Sequence, residues 1–380
     1  MNPAPQNGSC MAERRDEALL MPDQATESVS VRVRSRRTSP RAVNIKEIAK
    51  RAGVSTATVS RAINRIPTVD PHLARRVWKI VDELGYYPDR QARALVSGQS
   101  RIFGLIVPDL TNPVFPEIVE AFEEISFQHN YEVLLRSTSH DPQRMGLAMR
   151  RMVERRVDGL AILTFGMKES VIANFAPRSV PIVIVDGSHQ MPEVANIRVN
   201  YQHGIRQAVQ HLAALRHSRI AFVAGPPNLN SVETQQLAFE ECMTELALEI
   251  PPEFIVGGDH TIEGGMKALT TLAALPVRPT AILCSNDMTA IGVLRQASDH
   301  GISIPQQLSV VGFDDIPFAR FTIPPLSTVQ MSQLELARLA FEALLEKERD
   351  DHGMASNREY VLATQLTLRS TTMLTPLHAA

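Results

Sequence analysis

The stretch VNIKEIAKRAGVSTATVSRAIN, Val43 to Asn64, sets two short apolar periods on either side of a single glycine. Ile45, Ile48, Ala49 and Ala52 recur at i, i+3, i+4 and i+7, one stripe on a helix. Gly53 can adopt the left-handed conformation that ends such a helix, and Ser55 can cap the next one. In that second helix, roughly 56–63, Val59, Ala62 and Ile63 turn inward and leave Thr56, Ala57, Thr58, Ser60 and Arg61 outside. Capping and turn formation explain part of Ser55. They do not explain four short hydroxyls and an arginine on one face. Such a face suits phosphates and base edges: a helix fits the DNA major groove, small side chains allow close approach, and Ser or Thr can donate or accept.

Working outward, Asp70-Pro71 is an N-cap followed by proline at the first helical position. Behind it Leu73, Val77, Ile80, Val81 and Leu84 form a stripe that stops at Gly85. Three short helices with a glycine turn between the first two predict a helix-turn-helix domain over 43–88. Charge agrees: Pro40 to Arg101 holds 12 Lys/Arg against 5 Asp/Glu, a local net of +7 in a chain whose net charge is −2. A basic module joined to something larger is the pattern of a nucleic-acid-binding protein. Residues 1–42 have no hydrophobic period and are expected to be a disordered tail, in which Arg32, Arg34, Arg36, Arg37 and Arg41 can add nonspecific attraction to DNA. The segment DRQARALVSGQS, residues 89–100, is a helix candidate with only Ala92, Leu95 and Val96 as apolar side chains, marginal alone in water.

From Ile102 the rhythm changes. Apolar runs such as IFGLIV, GLAILTF, PIVIVD, RIAFVAG, TAILCS and LSVVGF alternate with amphipathic helical patterns, for example 115–128 with Phe115, Ile118, Val119, Phe122 and Ile125. Buried strands alternating with helices predict an α/β class of doubly wound parallel sheets. About ten strands exceed what one sheet needs, so two similar lobes are expected. Ligands in such folds bind outside the carboxyl ends of the strands.

Several classes are excluded or disfavoured. No apolar run reaches the ~18 residues of a membrane span, and the charged first residues are unlike a signal peptide. Cys10, Cys242 and Cys284 are odd in number and scattered, which points to a reducing cytoplasm without a disulfide framework. GxSxG, HExxH, GxxxxGK[ST] and CxxC motifs are all missing, so no catalytic function and no cofactor are expected. His203, His211 and His217 have spacings unlike a metal site.

The head segment, YYPDRQARAL, VDGL, AILCSNDMTAIG and LSVVGFDDIPFARFTIPPLSTV together, in this order, resemble the lac repressor family of bacterial transcription regulators over residues 43–372. That resemblance implies an all-α helix-turn-helix head (43–88), a hinge helix and linker (89–100), and a periplasmic-binding-protein-like core (101–372) before a short tail, 373–380. The first lobe would take about 101–200 with 327–355, and the second 201–326 with 358–372. It implies base reading by Thr56 and Ala57, with Arg61 on a base or phosphate. Asn44, Ser55, Thr58, Ser60 and Asn64 would clamp the DNA backbone. In the hinge, Ala92 and Leu95 would meet the minor groove, Leu95 as a wedge or in hinge-to-hinge packing within a dimer.

For the core the resemblance implies effector contacts from Asp109, Asn112, Phe115, Asp186, Gln235, His260 and Asp287. Asp186 can equally be a turn residue, and Asp287 a cap for helix 288–300. Three positions depart from the family's usual residues: Gln235 for Arg, Val199 for Asp and Met331 for Gln. Losing that arginine removes a five-donor fork suited to anionic or polyhydroxy ligands. The expectation is a sequence-specific repressor that binds a pseudo-palindromic double-stranded operator as a homodimer. A small polar effector, a sugar or sugar derivative, would control it. The alternatives are a soluble sugar-binding transport protein, or a corepressor-dependent regulator that answers to a nucleobase or sugar acid.

Overall fold

A computed structural model describes residues 44–64, 66–87, 98–164, 180–187, 194–227, 229–349 and 358–375. The chain divides near residue 88 into a small helical head and a large core.

In the head, α1 (Ile45–Ala52), α2 (Thr56–Ile63) and α3 (Pro71–Glu83) enclose one cluster of Ile48, Val59, Ala62, Val77, Ile80 and Val81. Local chemistry sets each boundary. Asn44 caps α1 by accepting from the Glu47 N–H at 3.1 Å, and Gly53 closes it with φ +63°. Ser55 Oγ caps α2 by accepting from the Thr58 N–H at 3.1 Å. Asp70 does the same for α3, accepting from the His72 and Leu73 N–H groups at 3.0 Å each. The result is an independent helix-turn-helix packed around small β-branched and alanine side chains.

In chain order the core runs β1 (Ile102–Val107), α4 (Val114–Gln128), β2 (Glu132–Ser137), α5 (Pro142–Glu154), β3 (Gly159–Leu163), β4 (Ile182–Val185), β5 (Val194–Val199) and α6 (Tyr201–Ala214). It continues through β6 (Ile220–Val223), α7 (Asn230–Glu245), β7 (Ile255–Val256), α8 (Ile262–Ala273), β8 (Ala281–Cys284), α9 (Asp287–Asp299) and β9 (Ser309–Asp314). Last come β10 (Ser327–Met331), α10 (Gln333–Arg349), β11 (Glu359–Leu362) and β12 (Thr364–Thr367). Two six-stranded sheets result, ordered β11-β5-β4-β3-β1-β2 and β12-β10-β9-β8-β6-β7. All pairings are parallel except β10 with β12.

The chain passes between lobes at Asn200, Ser332 and Ala363, each one residue between elements of different lobes. This shifts the partition expected from sequence. β10, placed with the first lobe, pairs with β9 in the second sheet, and β11, placed with the second, pairs with β5 in the first. Helix α10 returns to the first lobe, where Phe341 meets Phe103 edge-on at 5.5 Å between ring centroids and Phe122 at 6.2 Å. Two strands separated by Ala363 alone enter different sheets because each completes the edge of its own lobe.

Helices α8 and α9 touch backbone to backbone. A β-carbon at Gly265 would lie 2.0 Å from the Thr289 carbonyl oxygen, and one at Gly292 would lie 2.0 Å from the Ile262 oxygen. Only glycine allows this approach.

Candidate functional site

On the head, Thr56, Ala57 and Arg61 are exposed on α2, while Thr58 and Ser60 are half-buried beside them. Ser55 and Thr58 hydroxyls lie 2.9 Å apart, so this pair is partly engaged in closing the helix start. Asn44 is likewise a cap, and Asn64 Nδ2 reaches toward Ser60 Oγ at 3.5 Å. Arg61 has no ion pair or hydrogen bond for its guanidinium among the described residues. The exposed face of α2 therefore presents small polar side chains in its first turn and one free cation, Arg61, in its last. Its helix N-terminus adds a partial positive charge, so the face attracts phosphate and can reach base edges. Ala92 and Leu95 lie outside the described residues.

In the core, a cleft of about 380 Å³ opens between the lobes at the carboxyl ends of the strands. The first lobe contributes Asp109, Asn112, Phe115, His140 and Thr164, and the second Ser231, Gln235, His260, Ser285, Asn286 and Asp314. Leu229, Ile262, Met288 and Met331 supply apolar wall. The lobes use one turn twice. Asp109 Oδ1 accepts the Thr111 hydroxyl at 2.7 Å, and Asp259 Oδ1 accepts the Thr261 hydroxyl at 2.6 Å, after which Thr261 caps α8.

Among the described residues, three buried polar atoms here lack a partner: Gln235 Oε1, His260 Nε2 and Ser285 Oγ. Unpaired buried polar groups are costly, so these point to a ligand or ordered water. His260 sits at φ +62° with its ring over Gly225, where a β-carbon would fall 1.9 Å from Nε2. Burial, helped by neighbouring His140, pushes its pKa down to about 4, so the ring is neutral at physiological pH. Asp314 sits at φ +109°, a conformation rare outside glycine, and burial pushes its carboxyl well above the usual range. The Asp287 and Glu117 charges raise it further. No Lys or Arg lines the cleft among the described residues.

Five of the seven residues expected around one cleft are there: Asp109, Asn112, Phe115, Gln235 and His260. Two are not. Asp287 is fully buried beneath it; its Oδ2 accepts the Ile316 N–H at 2.9 Å and its Oδ1 the Thr328 hydroxyl at 2.5 Å. The cap of α9 is Asn286, accepting from the Thr289 N–H at 2.9 Å. Neither reading of Asp287 survives, because one residue of helix turns the side chain about 100° away from its cleft-lining neighbours Asn286 and Met288. Asp186 lies behind Tyr201, whose hydroxyl it accepts at 2.6 Å, and lines a separate hollow with Arg198 and Asn200. Burial raises its pKa to about 6 against those hydrogen bonds. Asp314, Asn286, Ser231 and Ser285 were missed. The signal for Asp314 was available, since a carboxylate directly ends the run LSVVGF.

A helix-turn-helix head joined to a two-lobed core with an interlobe cleft defines a ligand-responsive DNA-binding regulator. The chain belongs to the lacI family of bacterial regulatory proteins. Residues 44–89 match the model of the family described as bacterial regulatory proteins, lacI family, and residues 209–372 match a periplasmic binding protein-like domain. The HTH-type transcriptional repressor PurR of Glaesserella parasuis serovar 5 (strain SH0165) is 33% identical over 303 residues, covering 80% of this chain and 89% of that protein. The HTH-type transcriptional repressor CytR of Escherichia coli (strain K12) is 30% identical over 335 residues, covering 88% and 98%. Among solved structures, the lac repressor dimer bound to operator and the anti-inducer ONPF superposes with a TM-score of 0.79 at 28% identity, covering 88% of this chain and all of that one. No helix among the described residues is long and apolar enough to cross a membrane.

Proposed function

We propose that this cytoplasmic repressor binds a pseudo-palindromic operator as a homodimer and is controlled by a small neutral, polyhydroxylated effector in the interlobe cleft. The observation that carries the effector reading is the set of partnerless buried atoms Gln235 Oε1, His260 Nε2 and Ser285 Oγ on one wall. Ligand hydroxyls, which both donate and accept, can satisfy all three. The charges lining the cleft disfavour an anionic ligand. Asp109, Asp259 and Glu263 line the cleft, His260 is neutral, and an anionic ligand would meet no Lys or Arg there among the described residues.

On the head, Thr56, Ala57 and Arg61 read bases or phosphate, with Asn44, Ser55, Thr58, Ser60 and Asn64 beside the backbone. Effector binding biases lobe closure, and closure biases the linker that joins core to head. A second reading, a nucleobase-type corepressor, draws support from the apolar wall of Phe115, Leu229, Ile262, Met288 and Met331.

A thermal-shift screen with neutral sugars, nucleobases, sugar acids and sugar phosphates tests both. Stabilisation by a neutral sugar, coupled to altered operator affinity, is the expected result. Stabilisation by nucleobases alone selects the second reading, and stabilisation by anions alone overturns the charge argument.

A further inference from the structure

Away from the cleft, the end of α5 carries RRMVERR, residues 150–156: Arg150, Arg151, Arg155 and Arg156 with Glu154 as the one acid. All four arginines are exposed, and none makes an ion pair or side-chain hydrogen bond among the described residues. Arg150 and Arg151 sit in or near the last helical turn, where the helix dipole favours cations. Arg155 and Arg156 lie at and beyond the helix end, where that explanation fades.

Their position in the fold is more informative than their number. The loop after α5 runs directly into β3, whose Gly159 is in register with Phe103 of β1. Asp158 in that loop accepts the Ser100 N–H at 2.7 Å, the Ser100 hydroxyl at 2.9 Å and the Arg101 N–H at 2.7 Å. Its carboxylate is thus spent on the chain where it enters the core, and it does not neutralise the arginines. Arg101 adds a further cation on the same edge, stacked 5.0 Å over the Tyr131 ring. On the same edge Arg358, just before β11, pairs with Glu346 at 2.8 Å, and Glu132 at the start of β2 adds an acid.

The basic cluster is therefore at the very edge of the core to which the DNA-binding head is tethered. Between Tyr87 and Gly98 lie residues 88–97, a tether that cannot exceed about 40 Å even fully extended.

We infer that Arg150, Arg151, Arg155 and Arg156 form a second, sequence-independent contact that holds the phosphate backbone of duplex DNA beside the operator. This inference rests on the DNA-binding reading of the head. The cluster adds affinity and none of the discrimination, because phosphate contacts carry no sequence information.

The test is the salt dependence of binding by the full-length Arg155→Gln/Arg156→Gln variant, whose changed side chains are exposed at and just beyond the helix end. Each phosphate contact contributes about 0.9 to the slope of log K against log salt, so losing two per protomer, four per homodimer, makes it shallower by about 3.6. A fourfold rise in salt then costs the variant roughly 150-fold less affinity than it costs the native chain. Affinity for operator and for unrelated duplex falls by the same factor. An unchanged slope, with melting temperature unchanged, overturns the inference, as does a loss confined to the operator. Arg61→Ala, measured in parallel, separates the two ideas: if native protein shows no operator preference, the reading of the head fails instead.

Discussion

Replacing Asp287 by alanine separates a ligand contact from a buried strut. In the structure its two oxygens hold the Ile316 N–H at 2.9 Å and the Thr328 hydroxyl at 2.5 Å, with no water access. Alanine strands the amide and the hydroxyl in the core. Two neutral hydrogen bonds at about 1 kcal/mol each, plus an unsatisfied buried donor at about 1–3 kcal/mol, give an expected loss of about 3–5 kcal/mol. Burial raises the Asp287 pKa from 3.8 to about 7. The sign follows: a carboxyl whose folded pKa is raised is favoured protonated in the native state. Its contribution is fully present below pH 4 and declines as pH rises toward 7. At about 1.4 kcal/mol per unit, the decline is of order 4 kcal/mol.

Asp287→Asn keeps an acceptor for Ile316 and a donor for Thr328 and carries no charge. It is expected to lose less than the alanine variant and to gain stability relative to native between pH 5 and pH 8. Urea unfolding followed by far-UV circular dichroism at both pH values measures this. If Asp287→Ala unfolds at the native midpoint while effector response disappears, the carboxylate touches ligand and the strut is refuted.

Arg61→Ala should weaken operator binding by about 1–3 kcal/mol if the guanidinium makes a bidentate base contact, and an unchanged gel-shift titration at fixed salt removes it from the interface. Gly225→Ala should displace the His260 ring, the movable partner in a 1.9 Å overlap, and cut effector affinity at least tenfold while the melting temperature holds; retained affinity shows that the ring does not bind ligand. His217 is buried between Thr280 at 2.9 Å and Ser309 and the Met373 carbonyl at 3.0 Å each, and burial lowers its pKa. Its contribution is therefore present above pH 6.5 and lost as pH falls below, so the protection factor of the Thr375 N–H, which donates to the Leu215 carbonyl at 2.9 Å, should fall on acidification once the intrinsic pH dependence of exchange is divided out, and an unaltered protection factor between pH 7 and pH 5 contradicts the assignment.

The head was legible almost residue by residue because caps and apolar period are local: Asn44, Gly53, Ser55 and Asp70 act within three or four residues of themselves. Buried strands were legible too, since IFGLIV and AILC carry no polar residue to misplace. The exchange of β10 and β11 between lobes was not, because pairing with β9 or β5 is a choice between distant partners that no local pattern records. The same limit governs the cleft. Asp109, which follows a strand, and His260, implied by the family resemblance, both line the cleft, while Asp287 and Asp186 follow equally good strand ends and do not, for reasons of rotation and screening by Tyr201.

The glycine contact between α8 and α9 gives the cleft a fixed gauge. His260 and Ile262 stand at the start of one helix, Asn286 and Met288 at the start of the other, and Gly265 and Gly292 leave no slack between the two backbones. A bulkier ligand cannot wedge these walls apart without breaking a close-packed seam. The second lobe therefore offers the proposed effector a rigid wall. Ligand size is measured on that wall, and a new specificity must come from exchanging the side chains that line it, since its width is set by two residues that have no side chain at all.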